Sequence, residues 1–174
     1  MATINRESKL NGTLTIETSK EKFVLNSSDH GDFETEIFLT ANNDKLTTTY
    51  EFEIYFISHT ANIEASLGQK LVLFDADKNH CILTQSFRDN KLPSCITDTN
   101  GIHTYKRRWK YKIDEENIAK LKELNQRTSK MRLETETSYV EVWWSVGSVL
   151  SYMVSSIEIA QKAILKSSDD ILNF

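Results

Sequence analysis

Residues 104–113, with the sequence TYKRRWKYKI, hold the densest group of side chains that could bind an anion. Five of the ten are cations and three are aromatic, although the whole chain has a formal net charge of −4. In a β-strand, alternate side chains point to opposite faces. The expected core face is then the aromatic row, which consists of Tyr105, Arg107, Trp109, Tyr111 and Ile113. Most of the cations lie on the opposite row, which consists of Thr104, Lys106, Arg108, Lys110 and Lys112.

Arg107 is the exception on the aromatic row, where it lies between Tyr105 and Trp109. A guanidinium on a core face needs a partner, because an unpaired buried charge is strongly destabilising. Inside a barrel or cleft it would clamp a carboxylate or phosphate, with the neighbouring rings stacking on the rest of the ligand. A bulge that turns Arg107 outward, or an internal Glu partner, would explain it without a ligand. The first hypothesis is therefore a small anionic ligand bound by Arg107, Tyr105 and Trp109.

The cationic row supports an alternative hypothesis, in which Lys106, Arg108, Lys110 and Lys112 contact nucleic acid or anionic lipid. Proteins that bind single strands stack bases on aromatic rings beside their cations, whereas these two rows point opposite ways. Residues 61–113 carry nine cations and five anions, a narrower basic field than nucleic-acid binders usually have. The sequence disfavours both nucleic acid and membrane as partners.

Charge pairing within the sheet would explain the cationic row without any ligand. Three other predicted strands carry Glu-x-Glu on their polar faces, namely Glu34/Glu36, Glu51/Glu53 and Glu134/Glu136. Opposite charges across a strand pair contribute a few tenths of a kcal/mol each. A basic strand placed beside such strands would therefore have its charge neutralised by register alone.

The segment DADKN is the best candidate for a metal loop. Asp75, Asp77 and Asn79 occupy positions 1, 3 and 5 of a calcium loop, but His80 replaces the glycine of position 6 and Ser86 the glutamate of position 12. A polar hairpin turn is the simpler interpretation. The sequence predicts no metal site and no cofactor.

Catalytic motifs are also missing from the sequence. The four histidines have no shared metal-ligand spacing, and neither GxSxG, GxxxxGK nor GxGxxG occurs. His30 with Asp29 and Asp32 could form a carboxylate-held base, although a solvated loop is favoured there. The sequence indicates a non-catalytic domain that binds a protein partner or a small anionic ligand, with an enzyme whose site the sequence hides as a further alternative.

Alternating apolar and polar residues predict strands along most of the chain. The clearest are FETEIFL and YEFEIYF, and KLVLFDAD with HCILTQSF predicts a hairpin. Shorter candidates lie near residues 14, 24 and 131, and the basic stretch 104–113 is a further predicted strand. The absence of βαβ alternation favours antiparallel pairing.

Two helices are predicted in the last third. Asp114 caps the first, over about 114–126, with Glu115 and Glu116 in its first turn. The second is predicted over about 146–166. Ser138 and Glu141 form a capping-box pattern that would start it earlier, but YVEVWWSV is β-branched and aromatic, so part of it could continue the preceding strand.

These elements predict a mainly β, α+β fold. It is an antiparallel meander of about seven or eight strands, arranged as a barrel or a sandwich, with the C-terminal helix covering one face or opening. The 174 residues contain no Pro- or Gly-rich linker, 39% are hydrophobic and 26% charged, all typical of one globular domain. Residues 1–11 and 167–174 are expected to be frayed termini.

Localisation and assembly are expectations of the same kind. No secretory signal is visible, and two thiols without a CxxC or zinc spacing suggest reduced cytoplasmic cysteines, with Cys81 buried on a strand. Residues 142–157 carry no charge, are too short to span a membrane, and contain several serines. They predict a core-packed helix or a homo-oligomer contact.

Overall fold

The computed structural model describes residues 1–27, 31–58, 70–75, 77, 79–88, 94–124, 129–134, 139–144 and 148–172. These residues form eleven strands and two helices. In chain order they are β1 (Ile4–Leu10), β2 (Thr13–Thr18), β3 (Glu21–Ser27), β4 (Gly31–Asn43), β5 (Thr48–Ser58), β6 (Lys70–Asp75), β7 (His80–Arg88), β8 (Ser94–Thr97), β9 (His103–Ile113), α1 (Glu115–Glu123), β10 (Ser129–Glu134), β11 (Tyr139–Trp144) and α2 (Ser148–Leu172).

The strands form one antiparallel sheet in the order β1-β2-β4-β3-β11-β10-β6-β7-β9-β5, with β8 paired to β9. β5, the last strand in this order, also pairs with β4, which is the third. The link between β11 and β3 is the single pair Trp143–Asn26 among the described residues. The sheet therefore curls round on itself but is not continuously joined there. The predicted mainly β fold, with a short helix and a C-terminal helix, is confirmed.

The core lies between the inner face of this sheet and α2. On β5 and β9 the alternation seen in the sequence places Phe52 opposite Tyr111 and Ile54 opposite Trp109, all of them buried. α2 contributes an apolar face of its own to the same core: Val149, Leu150, Met153, Val154, Ile157 and Ala160. A helix with one apolar face gains most of its stability from such burial.

The serines of α2 also make contacts within the chain. Ser155 accepts a hydrogen bond from the Ala2 N–H at 3.2 Å. Ser156 is fully buried and donates to the Tyr152 carbonyl at 2.8 Å. The core-packed interpretation of this helix is therefore confirmed for its described residues, and the homo-oligomer contact stays a prediction.

The start of α2 differs from the capping-box pattern. Residues 139–144 form β11, which pairs with β10 along its whole length, and α2 begins at Ser148. β-branched and aromatic side chains suit a strand with a paired neighbour better than a helix interior. The alternative that this segment continues the sheet was the right one, while Ser138 lies outside the described residues.

The first helix agrees with its prediction. Asp114 is the N-cap, and its Oδ1 accepts the Asn117 N–H at 2.8 Å. α1 ends at Glu123, three residues before the predicted end, and residues 125–126 lie outside the described part. Ile118 and Leu121 turn its apolar side to the core.

Three strands were not among the eight sequence candidates: β1, β8 and β11, of which β11 was predicted only as the alternative to an earlier helix start. The terminal segments predicted as frayed contain β1, which pairs with β2, and the last turns of α2. All seven residues of β1 are exposed, and its sequence shows none of the apolar alternation by which eight of the strands were predicted. The extra strands lengthen the sheet without changing the fold class.

Candidate ligand-binding groove

The predicted aromatic row of β9 faces the core at Trp109, Tyr111 and Ile113. Trp109 is fully buried, with its ring 4.7 Å from that of Phe56. Tyr105 is half-buried, and its ring centroid lies 6.3 Å from that of His103. The Arg107 backbone pairs with Phe56, but its side chain lies outside the described part. The clamp of Arg107, Tyr105 and Trp109 therefore stays a prediction, and Trp109 is already packed in the core.

The cationic row of β9 contacts β5. Arg108 lies 3.4 Å from the Glu53 carboxylate, and the Lys106 ammonium lies 4.7 Å from the Tyr55 ring centroid. Glu51 and Glu53 are directly opposite Lys112 and Lys110. The predicted pairing of the basic strand with a Glu-x-Glu strand is thus confirmed for one strand.

The other two Glu-x-Glu strands do not adjoin the basic strand. Glu36 of β4 pairs with Lys22 of β3 at 3.6 Å, and β10 lies between β6 and β11. The second edge of β9 is instead occupied by β7 and β8. Strand register therefore places glutamates beside the cationic row on one side only, that of β5.

A groove of about 920 Å³ opens where the β1–β2 turn, the β4–β5 hairpin, the β9–α1 junction and the end of α2 meet. Every residue that lines it belongs to the described part of the chain. Small-molecule sites commonly have volumes of roughly 300 to 1,000 Å³. The groove is therefore large enough for an organic ligand of ordinary size.

The floor of the groove is apolar. Leu14, Tyr50 and Ile113 line it and are almost fully buried. Tyr50 and Ile113 are directly opposite each other and end the core rows of β5 and β9. The floor is thus the end of the core itself, which an apolar ligand would extend.

A polar group lies within this floor. The Tyr50 hydroxyl is hydrogen-bonded to the Gln161 side chain of α2, and the Lys122 ammonium of α1 donates to Gln161 Oε1 at 2.9 Å. Burial raises the pKa of Tyr50, the Gln161 hydrogen bond opposes the rise, and the Glu115 carboxylate adds to it. The hydroxyl therefore stays protonated at neutral pH and links β5 to both helices beneath the groove.

Two of the groove's carboxylates are occupied by backbone groups. Asp44 Oδ1 accepts the N–H groups of Thr47 at 2.7 Å and Leu46 at 2.8 Å, which shapes the hairpin and lowers the pKa of the Asp44 carboxyl. Asp114 caps α1. These acids hold the loops of the groove in place.

The groove's three lysines are differently placed. Lys9, Lys45 and Lys112 line it, and within the described ranges no carboxylate oxygen lies within 4.0 Å of their ammonium groups. The six formal charges of the groove, three lysines with Asp44, Asp114 and Glu115, sum to zero. The Oδ1 atoms of Asp44 and Asp114 are bound to backbone N–H groups, although their formal negative charges still oppose an anion. The three lysines and Glu115 are the charged side chains of the groove that no described hydrogen bond or ion pair engages.

No sequence pattern predicts this groove, because its residues come from four separated segments. One local signal was available at its edge. Asn11 and Gly12 both have positive φ, 51° and 79°, as the two-residue turn of a β-hairpin requires, and Asn-Gly is the strongest sequence signal for such a turn. It would have revealed β1 and β2, which carry Lys9 and Leu14 to the groove.

The predicted polar turn at DADKN is confirmed for its described residues. Asp75 Oδ1 accepts the N–H groups of Asp77 at 2.9 Å and Asn79 at 3.0 Å. His80 and His103 are exposed, while His30 and His59 lie outside the described residues. In the part of the chain that the structure describes, no three His, Cys, Asp or Glu side chains are grouped as metal ligands.

Comparison of the chain with protein-family models, with curated proteins and with solved structures gives no match. Neither described helix combines the length and the apolar character that crossing a membrane would require.

Proposed function

We propose that this protein is a binding domain for a small amphipathic anion, a molecule with an apolar body and one carboxylate or phosphate head group, held in the groove. The observation that carries the proposal is the combination of a buried apolar floor with three rim lysines that have no ion-pair partner in the described structure. The sequence hypothesis of a small anionic ligand is kept, but at different residues.

The floor supports an apolar body. An alkyl chain laid on Leu14, Tyr50 and Ile113 would be removed from water at about 0.8 kcal/mol per CH₂ group. Leu46, 93% exposed at the tip of the β4–β5 hairpin, lines the same groove and offers further apolar surface. Affinity should therefore rise with chain length until the floor is covered.

The rim supports an anionic head group. Lys45 follows the hairpin carboxylate Asp44, and Lys112 precedes the cap Asp114, so both lysines stand beside acids that are already bound to backbone N–H groups. A charge-assisted hydrogen bond from an ammonium is stronger than a neutral one. The Glu115 carboxylate, which also lines the groove, would repel a second negative charge and therefore favours a singly charged carboxylate over a phosphate monoester.

Isothermal titration with straight-chain carboxylates tests this proposal. Affinity is expected to rise about threefold to fourfold for each added CH₂ from hexanoate to decanoate, and 1-octanol should bind more weakly than octanoate. The double variant Lys45→Gln/Lys112→Gln should weaken octanoate binding by about fivefold to tenfold. Octyl phosphate beside octanoate distinguishes the two head groups.

A matched control keeps the result specific. Lys22→Gln removes an exposed lysine that is paired with Glu36 outside the groove, and it should leave octanoate binding unchanged. No dependence on chain length, or an equal effect of Lys22→Gln and of the double variant, would refute the groove as the site.

A further inference from the structure

β1 is an edge of the sheet with a free side. Among the described strands it pairs only with β2, and all seven of its residues are exposed. An edge strand presents a row of unpaired N–H and C=O groups that another extended chain can use. The free edge runs from Ile4 to Leu10.

α2 covers β2 but not β1. On β2 the row of Leu14, Ile16 and Thr18 is buried, whereas the residues opposite them on β1, Lys9, Glu7 and Ile4, are exposed. A second groove of about 390 Å³ lies between β1 and α2 as a result. It gives an added strand a surface to pack on, beside the free edge.

This second groove is apolar at its base and mostly cationic at its rim. Ile4, Ile159 and Ala163 supply the apolar contacts, and Lys162 and Lys166 lie one helical turn apart. In the described structure neither of these lysines has a carboxylate within 4.0 Å. Glu7 is the one acid among the residues that line it.

The edge is held in a fixed position, so little ordering is required for a partner to use it. Thr3 exchanges two hydrogen bonds with Ser19, from Ser19 N–H to Thr3 O at 2.7 Å and from Thr3 N–H to Ser19 Oγ at 3.1 Å. Arg6 lies 3.6 Å from Glu17 of β2. Preorganisation of this kind lowers the entropic cost of binding.

We propose that β1 is a docking edge for an acidic, extended segment of another protein, which adds to the sheet as a further strand. Its backbone pairs with Ile4–Leu10, and its acidic side chains on the helix side reach Lys162 and Lys166. This mode of recognition takes affinity from main-chain hydrogen bonds and specificity from alternate side chains. Lys162 and Lys166 outnumber Glu7 among the charged residues that line this groove, and charge complementarity therefore favours an acidic partner.

A blocked seven-residue peptide of alternating Glu and Val is a suitable probe, with fluorescence polarisation for affinity and hydrogen exchange for location. Binding should protect amides of β1 and no other strand. The double variant Lys162→Gln/Lys166→Gln should weaken it by about fivefold. Lys45→Gln/Lys112→Gln should leave peptide binding unchanged. With octanoate as the ligand the pattern should be reversed, so that Lys45→Gln/Lys112→Gln weakens binding and Lys162→Gln/Lys166→Gln does not.

Three results would overturn the proposal. The same peptide with two valines replaced by proline has equal charge but fewer N–H donors, so equal binding would exclude strand addition. Equal binding by the Lys162→Gln/Lys166→Gln variant would exclude the helix side of the groove. A dimer in light scattering, with β1 amides protected before peptide is added, would show that a second copy occupies the edge.

Discussion

Gln85 on β7 and Tyr111 on β9 are directly opposite each other in the sheet, and neither Gln85 Nε2 nor the Tyr111 hydroxyl has a hydrogen-bond partner among the described residues. Both atoms are buried, and burial strongly raises the pKa of Tyr111, which keeps the hydroxyl protonated. An unsatisfied buried polar group costs about 1 to 3 kcal/mol. This pair is therefore a destabilising feature where β7 and β9 border the core.

Replacing Tyr111 by Phe should stabilise the protein. The substitution removes the unpartnered hydroxyl and keeps the ring, so the free energy of unfolding is expected to rise by about 1 kcal/mol. Urea denaturation with an unchanged m-value measures it.

The matched control for this substitution is Tyr152→Phe. The Tyr152 hydroxyl donates to the Ser19 carbonyl and lies 3.3 Å from Thr18 Oγ1, so its loss should lower stability by about 1 kcal/mol. If Tyr111→Phe lowered stability by a similar amount, the Tyr111 hydroxyl would be hydrogen-bonded in solution, for example to a buried water.

Cys81 should be inert towards thiol reagents in the folded protein. It is fully buried on β7, and its Sγ–H donates to the Asn117 carbonyl at 3.2 Å. Burial raises the pKa of the thiol to about 12, with Lys120 opposing the rise and Asp114 adding to it. In the variant Cys95→Ser, where Cys81 is the remaining thiol, reaction at pH 8 should await unfolding; rapid reaction without denaturant would contradict the burial.

The raised pKa of Cys81 also predicts lower stability in alkaline solution. Between the unfolded pKa of about 8.5 and the folded pKa of about 12, the folded state binds the proton that the unfolded state has released. The free energy of unfolding should therefore fall as pH rises, by up to about 1.4 kcal/mol per pH unit. Urea denaturation from pH 7 to 10 measures this slope, which should be shallower in Cys81→Ala; equal slopes in the two proteins would refute it.

Sequence patterns within a few residues predicted the strands and the helix start whose structure depends on those same residues. The alternation in β5 and β9 placed Phe52, Ile54, Trp109 and Tyr111 in the core, and all four are buried. The carboxylate of Asp114 before two acids marked the start of α1. In each case the signal and the structure it specifies lie within a few residues.

Long-range pairing decides the features that the sequence did not predict. α2 packs over β2 but does not extend over β1, so β1 needs no apolar row. No pattern within residues 4–10 can show where α2 packs. The groove likewise depends on the register that brings Tyr50 opposite Ile113 and on the place where the end of α2 meets the β4–β5 hairpin. The Asn11–Gly12 turn is the local signal in the sequence that marks the hairpin of β1 and β2.

The cationic row of β9 should bind polyanions weakly. Arg108 is paired with Glu53, Lys106 lies over the Tyr55 ring, and Lys110 is opposite Glu53. We therefore expect no retention on heparin at physiological ionic strength. Retention that falls steeply with salt and is lost in Lys106→Glu/Lys110→Glu would instead support the nucleic-acid or anionic-lipid alternative.

Arg107 is the residue on which the first sequence hypothesis depends. Its backbone is opposite Phe56 on the core row of β9, and the hypothesis predicts that Arg107→Ala removes a bound anion, seen as the loss of a retained ligand mass in native mass spectrometry. Arg108→Ala is the matched control, because it removes the neighbouring cation, which lies on the opposite row of β9 and 3.4 Å from Glu53. If Arg107→Ala changed neither the retained mass nor the free energy of unfolding, the clamp would be abandoned and the groove above Tyr50 would remain as the proposed anion site.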